Sequence, residues 1–109
     1  MMKKTASLVS LVVLAASLLL ASVAFAHTPI CYCYDNGDGT ITCEGGFSDG
    51  SSAAGVKMTV FDKEGNVLIS GEMDADSEFT FDKPDCPYDV VFDAGPGHVV
   101  RTHGEDITE

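Results

Sequence analysis

The chain has 109 residues, 6 basic against 17 acidic, and a formal net charge of −11. That balance excludes nucleic acid and anionic membrane surfaces as natural partners, since both repel a strongly negative protein. It favours solubility and the attraction of cations, and a solvated acidic surface is the plain account of most of the carboxylates.

Lys3 and Lys4 precede an apolar run from Leu8 to Leu20, and Ala24-Phe25-Ala26 supplies an A-x-A processing site. Together they read as a helical secretory signal peptide over residues 1–26, cleaved after Ala26. An uncleaved anchor is the alternative, because the apolar run approaches spanning length. The expectation is a periplasmic or secreted domain of residues 27–109, beginning at His27 and not inserted in the membrane after cleavage. A domain of roughly 80 residues buries only about 60–65% of its unfolded surface and benefits from covalent staples. Cys31, Cys33, Cys43 and Cys86 all fall in this part, and an even cysteine count in a small exported chain reads as a disulfide framework.

The rest of the chain reads as short strands between polar turns. Ile30 to Tyr34 and Thr40 to Phe47 form two strands around Asp35-Asn36-Gly37-Asp38-Gly39, whose Asn-Gly and Asp-Gly pairs are a strong hairpin signal. The same letters fail as a calcium-binding EF-hand loop. With Gly39 at the glycine position, Tyr34 falls on the first ligand and Gly45 on the twelfth, where Asp and Glu are required. A small-residue loop then leads to three alternating runs. Val56, Met58 and Val60 share one face of the first, Val67 and Ile69 of the second, Phe79 and Phe81 of the third. Strict period two over runs this short means half-buried antiparallel strands. Asp62 to Asn66 and Asp74 to Ser77 are the turns between them. Pro84 enforces a break, Tyr88 to Phe92 is a further strand, Gly95-Pro96-Gly97 a tight turn, and Val99 to Thr102 a last strand.

Cys31 and Cys33 lie two apart on one strand, so they point the same way, and joining them to each other would strain the bridge. Cys43 across the hairpin is a natural partner for Cys33, which leaves Cys31 for Cys86; the swapped pairing stays open. A redox role would need a low-pKa thiol, usually from C-x-x-C at a helix start, which C-x-C on a strand does not provide.

The segment from Gly46 to Phe92 resembles the carboxypeptidase regulatory-like, or transthyretin-like, domains. The likeness rests on a small-residue loop ending in Ala54-Gly55, then Val56 to Asp62, a Gly65-Asn66 turn, Gly71, Asp74-Ala75-Asp76, the Phe79 and Phe81 pair, and the Tyr88-Asp89-Val90-Val91 strand. It implies a small all-β, antiparallel Greek-key sandwich of transthyretin-like or immunoglobulin-like form. One departure is visible: Ser77 stands where the family often has the glycine of Asp-x-x-Gly. Further on, Val91 to His98 resembles the tails of small periplasmic proteins that accompany bacterial nickel and cobalt uptake systems. That likeness implies an accessory role in capturing or handing over a transition metal beside a membrane metal-uptake system.

The three histidines, His27, His98 and His103, all lie in the exported part, and imidazole is the usual ligand for nickel, cobalt, copper and zinc. His27 is the sharpest candidate. Once freed by cleavage, its α-amine and ring Nδ1 can chelate one metal, and the amine's ordinary pKa of about 7.7–8.0 makes its proton easy to displace. Position three of the mature chain is Pro29 rather than His, which excludes the square-planar amide-bonded motif. His98 and His103, at odd separation, would fall on opposite faces of one continuous strand. Met58 and Met73 are soft ligands for copper, although Met58 alternates with core valines. Asp74, Asp76 and Glu78 read first as turn and solvent-face residues. No Ser stands in a G-x-S-x-G setting, no Cys-His pair has an orienting base, and no glycine loop opens a helix. The expectation is therefore a binding module rather than an enzyme, holding Ni, Co or Cu through His27, His98 and His103. The alternatives are a metal-independent module that docks on a larger envelope partner, and an oxidative copper enzyme, disfavoured by the absence of Trp.

Overall fold

The computed structural model describes residues 27–109; the expected signal peptide, 1–26, lies outside the described residues. Seven strands follow in order: β1 (Pro29–Asp35), β2 (Thr40–Phe47), β3 (Lys57–Asp62), β4 (Val67–Glu72), β5 (Glu78–Asp82), β6 (Tyr88–Asp93) and β7 (Val99–His103), with a 3-10 turn at Gly104–Asp106. Among the described residues no helix is long and apolar enough to cross a membrane.

The strands form two antiparallel sheets, ordered β1-β2-β5 and β4-β3-β6-β7. Because β2 pairs with β5 and β3 with β6, the chain passes from one sheet to the other after β2, β4 and β5. The alternation predicts the antiparallel strands, and their arrangement is a small two-sheet Greek-key sandwich. The inward positions are those that period two assigns: Ile41 and Cys43 from β2, Met58 and Val60 from β3, Phe81 from β5, Tyr88, Val90 and Phe92 from β6. Each is buried, and Phe92 sits at the centre with no exposed surface. One assignment changes. Ile69 packs against the core, but Val67, paired with Phe61 beyond a register shift, remains exposed.

The turns follow local chemistry. Asp35 Oδ1 accepts from Gly37 N at 2.8 Å, Asp38 Oδ1 accepts from Thr40 N at 3.0 Å, and Asn36 N bonds Thr40 O at 3.0 Å. The loop is thus a hairpin and not a cation cage. Asp74 likewise spends Oδ1 on the backbone N–H groups of Asp76 and Glu78, as expected of a turn carboxylate. Ser77 adopts φ +61°, a left-handed conformation that costs a non-glycine residue about 1–2 kcal/mol. Its hydroxyl accepts from Ala53 N at 2.9 Å and meets Ser52 Oγ at 3.1 Å, so a side chain that glycine lacks ties the 50s loop to this turn.

Where β7 ends, an ideal Cβ on Gly104 would stand 2.8 Å from the backbone oxygen of Tyr88 and as close to its ring. Backbone cannot step aside as a flexible side chain can. Gly104→Ala is expected to lower stability by about 1–3 kcal/mol through this overpacking, read as a shift in the urea midpoint.

Candidate functional site

β1 and β2 pair with Pro29 opposite Phe47 and Cys33 opposite Cys43. Carried one step past β1, this register continues: Ser48 N bonds Thr28 O at 2.9 Å, and Thr28 N bonds Ser48 Oγ at 3.1 Å. His27 is therefore held at the sandwich edge. Its ring meets Phe47 edge-on at 6.1 Å, and Phe47 in turn meets Phe92 at 6.0 Å. Nε2 of His27 lies 3.2 Å from Asp49 Oδ2, with the imidazole half exposed.

Asp49 is fixed independently of His27. Its Oδ1 accepts from Ser51 N at 2.9 Å and from the Ser51 hydroxyl. These bonds, the hydroxyl's first, together with the nearby imidazole, hold the Asp49 carboxyl below its ordinary range. A carboxylate acceptor at Nε2 places the ring proton there in the neutral tautomer. That leaves Nδ1, the nitrogen nearer the main chain, as the lone-pair site.

His98 lies in the β6–β7 turn, where Ala94 N bonds His98 O and His98 N bonds Gly95 O, both at 2.9 Å. Gly95 and Gly97 take φ of +108° and +80°, which only glycine adopts without strain. Nδ1 of His98 faces Pro96 O at 3.2 Å. A carbonyl only accepts, so Nδ1–H donates and Nε2 is the open nitrogen. This turn is at the Phe92 end of β6, the end against which Phe47 and His27 pack.

His103 lies at the opposite end, paired across the β6–β7 ladder with Asp89. Its Nδ1 donates to Asp89 Oδ1 at 2.8 Å. Asp89 also accepts from Lys63 Nζ at 2.7 Å and Arg101 Nη1 at 3.1 Å, while Lys63 reaches Glu105 at 3.0 Å. These donors, Lys63 foremost and His103 next, hold the Asp89 carboxyl far below the usual range. The sequence reading did not single out Asp89, because nothing local marks an Asp on a strand as the hub of donors from a distant turn and a neighbouring strand.

The cysteines correct one expectation. Cys33 and Cys43 are bridged, as their directly opposed positions favour, but Cys31 and Cys86 are free thiols. Cys31 points inward on β1 near Gly45. Cys86 is exposed in the β5–β6 connection, at the end of the sandwich where β6 begins. They sit at different ends, so no S–S bond can span them. Burial pushes the Cys31 thiol up to about 11. Met58 and Met73 are both core residues, with 0% and 2% exposure.

Comparison with protein-family models, with curated proteins and with solved structures finds no match. The site is therefore read from its own residues. Among them, the set of three ligand atoms that the fold brings within 4.8 Å of one another is the sulfurs of Cys31, Cys33 and Cys43. The three histidines are not brought together. His27 and His98 share one end, and His103 is committed to Asp89 at the other.

Proposed function

We propose that the protein is a small exported binding module, not an enzyme, that captures a divalent transition metal (Ni, Co or Cu) at its N-terminal end for a membrane uptake system. The observation that carries this reading is the 3.2 Å approach of Asp49 Oδ2 to His27 Nε2. A metal-bound imidazole ordinarily donates its other N–H to a carboxylate, which fixes the tautomer and raises ligand basicity. Asp49 Oδ2, 3.2 Å from Nε2, is placed to take that role before any metal arrives. Cleavage after Ala26 frees an α-amine beside Nδ1, and the two close a chelate ring on one ion. His98, at the same end, is the further ligand in this reading, and His103 drops out of it. The likeness of residues 91–98 to tails of proteins accompanying nickel and cobalt uptake supports the accessory role.

The test is metal affinity of protein beginning at His27, measured by competition with a chromogenic chelator. Cu(II) should bind more tightly than Ni(II), and Ni(II) more tightly than Co(II). One alanine added ahead of His27 should weaken binding at least tenfold, since it turns the amine into an amide. Asp49→Asn should cost about 10–100-fold, the usual effect of losing such a partner. Affinity should fall about tenfold per pH unit below the amine's pKa of about 7.7–8.0. Equal affinity with and without the added alanine removes the N-terminal clamp.

A second reading is favoured by Ile30 and Tyr32, which stand 50% and 62% exposed on the outer face of edge strand β1. They suit a metal-independent module that docks on an envelope partner. Such a complex would survive a chelator, and one built on the metal would not.

A further inference from the structure

The geometry points to a second metal site, in which Cys31, Cys33 and Cys43 together hold one Cu(I) ion when the Cys33–Cys43 bridge is reduced. It shares no residue with the His27 end and does not depend on it. The three sulfurs already lie within 4.8 Å of one another because of two independent periodicities. Cys31 and Cys33 are two apart on β1 and share its inner face. Cys43 stands directly opposite Cys33 in the β1–β2 ladder, and Cys31 faces Gly45, the next inward position of β2. A d10 ion bonded to thiolates at about 2.3 Å in a trigonal plane holds the sulfurs ~4 Å apart. Reduction relaxes the one short contact, the bond itself, toward that spacing, with no change of strand register.

The donor set selects the ion. Thiolates are soft and favour Cu(I), Zn(II) or iron-sulfur clusters. A structural Zn(II) site closes with four ligands, and among the described residues no His, Cys, Asp or Glu joins the three sulfurs. The neighbouring side chain over Gly45 is Met73, whose methyl group would be 3.0 Å from a Cβ at that position. It is a fully buried thioether, again a soft group. Three sulfurs beside an apolar wall fit a monovalent soft ion of low coordination number. Cys31 is the least buried of the three and lies on edge strand β1, so the ion enters from that side.

The chemistry balances without a hidden co-reactant. A dithiol reductant passes two electrons and two protons to the bridge and leaves as its own disulfide. Cys33 and Cys43 become thiols, and Cu(I) displaces three protons on binding.

The experiment uses Cys86→Ser protein, to silence the exposed thiol, under anaerobic conditions, with Cu(I) as the probe in competition with a chromogenic Cu(I) chelator. Reduced protein should take one equivalent of Cu(I) and show a near-ultraviolet thiolate charge-transfer band, while oxidised protein should do neither. Cys31→Ser added to this background should weaken Cu(I) at least 100-fold and leave Ni(II) binding at His27 untouched. Adding His27→Ala instead should leave the Cu(I) band intact, so loss of either site is told apart from loss of the other. If reduction alone unfolds the domain, Cu(I) should restore its near-ultraviolet circular dichroism. Reduced protein that binds no more Cu(I) than oxidised protein, Cys31→Ser that binds as tightly as its parent, or failure of Cu(I) to refold a reduction-unfolded domain would each overturn the proposal.

Discussion

Phe92→Ala is expected to destabilise the domain by about 3–5 kcal/mol, the usual cost of emptying a fully buried aromatic position. Total stability for a domain of this size lies near the lower part of the 5–15 kcal/mol range, so the variant should be largely unfolded at moderate temperature. The reason is position. Phe92 has no exposed surface, it stacks edge-on with Phe47 at 6.0 Å, and its ring stands where any Cβ on Gly45 would go, 2.8 Å away. It therefore fills the space between the two sheets at the point where β2 has no side chain to offer. Relaxation cannot close that gap, because Gly45 lies on a paired strand whose ladder would have to break. Phe92→Leu keeps most of the volume and should cost less than about 1.5 kcal/mol. Urea unfolding of the oxidised protein measures both. A loss below about 1 kcal/mol for Phe92→Ala would show that another residue holds the sheets together. The same substitution reaches the metal end, since His27 rests on Phe47 and Phe47 on Phe92.

The sandwich was legible because three short runs alternate with period two between polar turns, and alternation specifies which face of a strand is buried without reference to its neighbours. Val67 escaped the pattern because a register shift at a turn is set by pairing and not by the run itself. The hairpin made Cys43 a natural partner for Cys33 but left the swapped pairing open, and the directly opposed positions of Cys33 and Cys43 decide it. The same pairing, extended by six residues, puts His27 opposite Asp49. The carboxylate that orients His27 could thus have been read from the register, with Asp49-Gly50-Ser51 as its local turn signal. Cys31 and Cys86 were matched by elimination, which ignores that β1 and the β5–β6 connection place them at opposite ends. The separation of His103 from His98 follows from β7, which carries the chain from one end of the sandwich to the other between them, whereas the placement of His27 beside the His98 end is a tertiary fact with no trace in spacing. Ser77 shows the converse case. Ser77 stands where the resemblance leads one to expect glycine, and the left-handed geometry is kept all the same, with a hydroxyl that accepts from Ala53 N and offsets the strain.

Asp89→Asn is expected to lower stability by about 1–3 kcal/mol, since charge-assisted bonds to a nearly buried carboxylate are exchanged for weaker ones. Asp89 is 8% exposed and accepts from Lys63 in the β3–β4 turn and from Arg101 and His103 on β7. Glu105 also faces Lys63, and the Arg101 guanidinium lies 5.8 Å from the Phe61 ring centre. One carboxylate thus ties the outer strand β7 and a turn to β6. Its removal leaves cations facing one another across the sheet. The pH dependence has a definite sign. The folded carboxyl is held below its unfolded value, which is about 3.9, by Lys63 first, then His103 and Arg101. Below the unfolded value the unfolded chain takes up the proton and the folded chain does not. Asp89 therefore contributes its full stabilisation above about pH 4, and that contribution drains away as pH falls from there toward the depressed folded value. Wild-type urea midpoints should fall across this acid range more steeply than those of Asp89→Asn, so the gap between the two proteins narrows as pH drops. A gap that stayed constant from pH 7 into that range would mean the carboxylate's charge is not what holds β7 in place.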